Sequence, residues 1–337
     1  MQDVKKPPEV VQLAGGDTSE GSSHPRVCGE LSDVSIHAQG ANDEAESLPG
    51  RVDRYGIART RARQMLEHLH GLSDCPLPAA SLAQLAECGE WLRFHHYFTV
   101  GRVRLAGASF CRMHLLCPLC AVRRGAKALK AYLDRFEAVS AASPLLRPFL
   151  VTFTVRNGPD LRERFEHLQK SLQRLHDRRR DFFKKGRGRT EARHALGAVW
   201  SYEVTNKGKG WHPHVHAVWL CEVEPDQAAL RREWHDITGD SFMVDVRPIS
   251  PADPVSGFIE VFKYAVKFSG LDLVDNVEAW AVLRGRRLLG SFGVFRCVEI
   301  PEGLLDEPLE GLPFIELFYR FVPGVGYDLQ LTRVCHE

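Results

Sequence analysis

Two rhythms of apolar and polar residues run along the chain. Phe149–Val155 (FLVTFTV) is β-branched and aromatic, which predicts a strand, and Asn157-Gly158-Pro159 ends it. Over 160–184 the spacing changes to that of a helix, with Leu161, Phe165, Leu168, Leu172 and Leu175 on one side. Residues 197–204 and His212–Leu220 read as two strands joined by a turn at Asn206–Gly210, so 197–220 is expected to be a hairpin. A helix at 225–237, a strand at 242–247 and a helix at 255–268 follow. Upstream, the pattern predicts helices at 57–70, 76–90 and about 121–140, and a strand pair over 91–106 around Gly101. Strand, helix, hairpin, helix, strand, helix implies an α+β domain on a mainly antiparallel sheet flanked by helices.

Composition narrows the class. The 337 residues are 44% hydrophobic and 26% charged, the mix of a globular protein, and the net charge is only +1. The charge is unevenly spread. Residues 1–50 hold three Lys/Arg against nine Asp/Glu, and 298–337 hold two against eight. The body between these acidic ends is therefore strongly basic, which suits a polyanion. Within it, 162–193 alone hold 12 Lys/Arg against 5 Asp/Glu. Residues 1–50 are rich in Gly, Ser, Pro and acidic residues and are expected to form a loose tail. No apolar run is long enough to span a membrane, and Met1–Glu20 carries no apolar leader, so a cytoplasmic location and no membrane partner are expected.

The sharpest chemistry is His212-Pro213-His214-Val215-His216. Side chains two residues apart on a strand share a face, so three imidazoles point one way and Pro213, Val215 and Ala217 the other. Two such imidazoles can reach one cation. The hairpin brings Glu203 beside them as a third ligand. Carboxylate plus imidazole suits Mg²⁺ or Mn²⁺ with open positions. The pattern alone leaves open which two of His212, His214 and His216 lead.

A second pattern is Phe258-Ile-Glu260-Val-Phe-Lys263-Tyr264-Ala-Val-Lys267-Phe268. Phe258, Ile259, Phe262 and Val266 make an apolar stripe, while Glu260, Lys263, Tyr264 and Lys267 fall on the other side. By itself this is an ordinary salt-bridged amphipathic helix. Cations beside a phenol also lower its pKa and favour it as a nucleophile. With the histidine strand, the helix offers a phenol and a metal for cutting a phosphodiester.

Taken together, these motifs resemble the rolling-circle replication initiators of the HUH endonuclease superfamily, plasmid Rep proteins especially. The residues that carry the likeness are FLVTFTVRN (Phe149–Asn157), the histidine run His212–His216 and Glu260, Tyr264 and Lys267, with Glu203-Val-Thr-Asn before the histidines. The likeness covers about 88–297. It implies an HUH endonuclease fold, a divalent metal held by His214 and His216 with Glu203 completing the set and His212 structural or tuning, and site-specific nicking and joining of origin DNA. Tyr264 would attack the phosphorus and become joined to the 5′-phosphate, leaving a 3′-OH primer. Glu260 would serve later as a general base, and Lys267 would orient Tyr264 or offset charge. The implied partners are single-stranded or supercoiled origin DNA, with a host helicase and a DNA polymerase. Conjugative relaxases and single-strand transposases of the same superfamily are the nearest alternatives. A zinc-containing DNA-binding protein without nuclease activity, or a metallohydrolase using water, would differ in class.

Of nine cysteines, Cys111, Cys117 and Cys120 cluster. Cys88 is the nearest fourth thiolate and His114 its rival. A Cys₄ zinc site would staple a small module here, and related Rep proteins carry similar cysteines before the first motif. Arg112, Arg123, Arg124, Lys127 and Lys130 surround the cluster and, with Arg156, are the expected DNA contacts. The expected organisation is an acidic tail (1–55), a helical cysteine-rich zinc and DNA-contact module (56–145), the nickase domain (146–297) and an acidic, Pro-containing extension (298–337).

Overall fold

The computed structural model describes residues 47–250, 252–262 and 271–335. The tail expected at 1–46 lies outside the described residues. Helix α1 (Leu48–Gly71) opens at Ser47, whose hydroxyl accepts the Gly50 N–H, with Pro49 in the first turn. It starts nine residues before the helix expected at 57–70. The buried side of its first two turns includes Arg51 and Arg54, so a reading by hydrophobic spacing passes over it. After it come α2 (Ala79–Glu87), β1 (Trp91–Tyr97), β2 (Arg102–Ala108), α3 (Pro118–Ala142), β3 (Arg147–Thr154) and α4 (Leu161–Lys185). The chain continues with β4 (Ala195–Asn206), β5 (Trp211–Cys221), α5 (Gln227–Thr238), β6 (Val244–Pro248) and α6 (Pro254–Phe262). It ends with α7 (Leu273–Leu283), β7 (Leu289–Gly293), β8 (Phe314–Val322) and β9 (Gly326–Cys335). Among the described residues no helix is long and apolar enough to cross a membrane.

The strands form two antiparallel sheets, and the architecture is α+β. The larger has the order β6-β3-β5-β4-β7, with the β4–β5 hairpin near its centre. One face presents Val151, Phe153, Tyr202, Val215 and Trp219 to α4 and α5, where Phe165, Leu168, Leu172 and Trp234 complete the core. The opposite face carries Val199, Val218 and Leu220 at one end, covered by Leu129, Tyr132 and Phe136 of α3 and by Phe258 and Val261 of α6. The same face continues along β5 through His216, His214 and His212.

The smaller sheet has the order β2-β1-β8-β9. Its inner strands come from opposite ends of the chain: β8, in the stretch expected to be an acidic extension, pairs with β1 from Trp91↔Arg320 to His96↔Ile315. The segments flanking 146–297 thus meet in one sheet. Pairing over such a separation leaves no local periodic signal beyond the strand's own, and the prolines at 301, 308, 313 and 323 masked that. Helix α6 ends among the described residues at Phe262, so the rest of the helix expected at 255–268 lies outside them.

Candidate functional site

The hairpin register sets the first cluster. Glu203 pairs with His214, Ser201 with His216, and Thr152 of β3 meets His216 from the other side. All five therefore project from one face. The two oxygens of Glu203 divide between the two imidazoles: Oε1 is 3.1 Å from His214 Nε2 and Oε2 is 3.1 Å from His216 Nε2. Glu203 is only 2% exposed and His214 is also buried. The far nitrogens are held in turn. His214 Nδ1 donates to the His212 carbonyl at 3.3 Å, and His216 Nδ1 pairs with Thr152 Oγ1 at 3.1 Å. A carbonyl only accepts, so Nδ1 of His214 carries a proton, and Nε2 is the nitrogen that faces the carboxylate.

One carboxylate and two imidazole nitrogens within 4.8 Å of one another are a donor set for a hard or borderline divalent cation. His212 stands beside this set. Its ring is 5.4 Å from that of His214, and it reaches the site through its main-chain oxygen. Burial and the neighbouring His214 lower its pKa.

Helix α6 crosses the same face. Ser201, the neighbour of His216, donates from Oγ to the Val261 carbonyl at 2.5 Å. Glu260 is half-buried on this helix. Tyr264 and Lys267 lie outside the described residues, Tyr264 two positions beyond the last described residue of α6.

The second cluster gathers Cys88, at the end of α2, with Cys111 from the loop after β2 and Cys117 and Cys120 at the start of α3. Cys88 Sγ is 3.5 Å from Cys117 Sγ and 3.6 Å from Cys120 Sγ, and Cys111 Sγ is 3.6 Å from Cys120 Sγ. A zinc tetrahedron with bonds of about 2.3 Å has edges of roughly 3.8 Å, so the four buried sulfurs fit one ion. Hydrogen bonds from Cys111, Cys117 and Cys120 pull the Cys88 pKa far down, while contacts led by Cys111 push those of Cys117 and Cys120 up. Thiols this close share few negative charges until a cation balances them. His114 stays outside the set; it is half-buried, and burial and Arg124 lower its pKa. The cluster is consistent with a zinc module.

The expected DNA contacts divide. Arg112, Arg124 and Arg156 are exposed and Lys127 is half-buried. Lys130 is exposed and paired with Asp134 at 2.9 Å. Arg123 corrects the expectation: it is fully buried, with Nη2 2.6 Å from Asp306 Oδ1, Nη1 donating to Tyr55 Oη and Nε donating to the Leu304 carbonyl. It is a structural residue because its position faces α1. Asp306 also meets Arg51 at 3.0 Å and accepts the Leu105 N–H. Sequence spacing missed this clamp because its members lie at 51, 123 and 306.

Comparison with known proteins agrees with this layout. The profile of the Rep_1 family, described as replication protein, matches residues 102–307. A "Protein rep" of Bacillus amyloliquefaciens is 27% identical over 228 residues, 65% of this chain and 63% of that protein. A "Protein rep" of Bacillus sp is 27% identical over 235 residues, 67% of this chain and 70% of that protein. The chain thus spans less than two thirds of the length of the first. No solved structure matches. The match runs from β2 past β7 and contains both the histidine strand and α6, and on that breadth the chain belongs to the Rep_1 family of replication proteins.

Proposed function

We propose that the chain initiates rolling-circle replication of a plasmid-like element by nicking and rejoining one DNA strand at the origin. The observation that carries this reading is the convergence of Glu203, His214 and His216 on the sheet face that α6 crosses. A Mg²⁺ or Mn²⁺ ion held by Glu203, His214 and His216 would polarise the scissile phosphate. The protein's own part is nucleophilic. Tyr264 gives up its phenol proton to solvent as its oxygen bonds to phosphorus, the bond from phosphorus to the 3′ oxygen breaks, and that oxygen leaves as a 3′-OH after taking a proton from solvent. Lys267 offsets charge near the phenol. Glu260 takes the proton from the water that later hydrolyses the phosphotyrosine. His212 positions His214. Residues 146–297 form the nicking body, and the module at 56–145, stapled by zinc on Cys88, Cys111, Cys117 and Cys120, holds DNA through Arg112, Arg124, Lys127 and Lys130. The free 3′-OH supplies a host polymerase, and a host helicase opens the duplex.

The test is incubation of the protein with Mn²⁺ or Mg²⁺ and single-stranded origin DNA, followed by a denaturing gel. A protein–DNA adduct that survives SDS and disappears in Tyr264→Phe is the expected result. Cleavage without an adduct, undiminished in Tyr264→Phe, would show hydrolysis by water instead and overturn the reading.

A further inference from the structure

Among the described residues, the smaller sheet has a face that enters neither core. Along β1, Leu92 and Phe94 point inward beneath α1, and across from them Leu317 and Tyr319 of β8 do the same. The alternate residues, Trp91, Arg93 and His95 on β1 and Glu316, Phe318 and Arg320 on β8, share the outer face. Trp91 and Phe318 are half-buried yet belong to neither hydrophobic core of the described residues. Their rings lie nearly parallel, centroids 5.9 Å apart and planes inclined at 23°. Gly107 lies opposite Arg93 on β2; a Cβ there would sit 3.0 Å from Trp91 Cζ3 and 3.0 Å from Arg93 Nε. The missing side chain is what lets the indole lie over the edge of the sheet.

Cations ring this pair. Glu316, whose side chain is 12% exposed, ties down Arg333 at 3.3 Å, His95 at 3.7 Å and Arg93 at 4.0 Å. Arg333 and Arg93 remain 57% and 44% exposed. Arg320, opposite Trp91, is exposed, with Asp328 across from it on β9. Residues 298–337 contain only two Lys/Arg, and both, Arg320 and Arg333, lie on this face of an otherwise acidic segment.

We propose that this face is a stacking platform for single-stranded DNA, with bases laid on Trp91 and Phe318 and phosphates held by Arg93, Arg320 and Arg333. Aromatic rings on an antiparallel sheet accept unpaired bases whatever their sequence, and guanidinia beside them follow the backbone. Bases in a duplex are stacked on one another and unavailable, so the platform discriminates against double strands. The proposal rests on the nickase reading for its source of ligand, because a nicked and unwinding origin yields single strand. β1, β8 and β9 lie outside the matched residues 102–307, so the platform is a feature of this chain beyond the family match.

The test is fluorescence anisotropy of a labelled twenty-nucleotide oligothymidylate on the full chain without Mg²⁺ or Mn²⁺, which separates binding from cleavage. The double variant Trp91→Ala, Phe318→Ala is expected to weaken binding about ten-fold or more. The double variant Arg320→Ala, Arg333→Ala changes only exposed side chains. It is expected to weaken binding and to lower the salt slope of log K by about 1.4, or about 0.7 per phosphate. Duplex binding is expected to be unchanged in both. Wild-type affinity for oligothymidylate in the arginine variant, or in an aromatic variant that melts like the wild type, overturns the platform. If the wild type never forms the adduct but binds in this platform-dependent way, the nickase reading fails and the platform stands.

Discussion

The five-stranded sheet is packed on both faces, by α4 and α5 on one and by α3 and α6 on the other, while among the described residues the four-stranded sheet is packed on one. The difference governs what each can do with polar groups. Beneath helices, Glu203 is kept from water and both its oxygens are fixed against imidazoles, so a cation there would feel a preorganised, weakly screened field. On the open face, Arg93 and Arg333 are anchored at one end by Glu316 and wet at the other, which suits reversible contact with a polymer. The cysteine cluster lies at the seam. Cys88 leads into β1 of one sheet, and Cys120 starts the helix that covers the other.

The largest effect is expected at that seam. On the zinc assignment, metal binding to four thiolates contributes on the order of 10 kcal/mol in small modules. Cys117→Ser, or a strong chelator, should therefore unfold α1, α2 and β1 well before the five-stranded sheet. Hydrogen exchange resolved along the chain is the measurement, with bound zinc counted by native mass spectrometry. One uniform transition, indifferent to chelator and in a metal-free protein, would remove the seam from the account.

Next is the Asp306 clamp. Asp306→Asn leaves Arg51 and Arg123 buried with one carboxylate fewer, a change that costs about 3–5 kcal/mol at neutral pH. Burial opposes ionisation of Asp306, but the charges of Arg123 and Arg51 outweigh it and hold its pKa well below the usual range. A carboxyl whose folded pKa is depressed stabilises fully above its unfolded value, near 4, and loses that contribution as pH falls through the folded value. The gap between wild type and Asp306→Asn should accordingly be widest at neutral pH and narrow below about pH 4 in denaturant titrations. A gap that stays constant down to pH 2 would mean that the clamp adds no net charge pairing.

How much of this was readable beforehand differs between the sheets for a physical reason. In the larger, Phe149–Val155 and His212–Leu220 alternate within single segments, and the Glu203–His214 pairing follows from one short turn, so fold and cluster were both legible. In the smaller, β1 pairs with a strand more than 200 residues away, and no local pattern records such a partner. The N-terminal half-turns of α1 were hidden because Arg51 and Arg54 are buried, and Arg123 was misread because a buried guanidinium and a DNA-contacting one look alike in sequence. Cys88 is legible as the nearest fourth thiolate, with the nearer His114 its rival, and the four sulfurs do meet.

Within the larger sheet, Glu203→Gln keeps shape while removing the charge that the imidazoles face. Adduct formation is expected to drop by about 10²–10³-fold, the usual loss when one fixed electrostatic group is removed from a reacting centre. Oligothymidylate binding should stay at the wild-type level, because the open face is a separate structure. Parallel losses in both assays would merge the two regions into one DNA site and remove the contrast between them.

The smallest effect probes whether the open sheet steadies the thiols. Tyr327 of β9 donates its hydroxyl proton to the Gly89 carbonyl at 2.6 Å, and burial raises its pKa, so it remains a donor throughout the ordinary pH range. Gly89 follows Cys88, has φ of +72°, and donates its N–H to the Ser109 carbonyl at 2.8 Å. A Cβ at Gly89 would strike Leu119 Cδ2, so the backbone there is pinned from several sides. Tyr327→Phe removes one of those pins and should cost about 1 kcal/mol. If the hairpin holds the cluster, exchange protection should fall together at 88–90 and along β9, with the zinc content unchanged. Loss confined to β9 would show that the thiols are held by α2 and α3 alone and that the open sheet is attached to the cluster without supporting it.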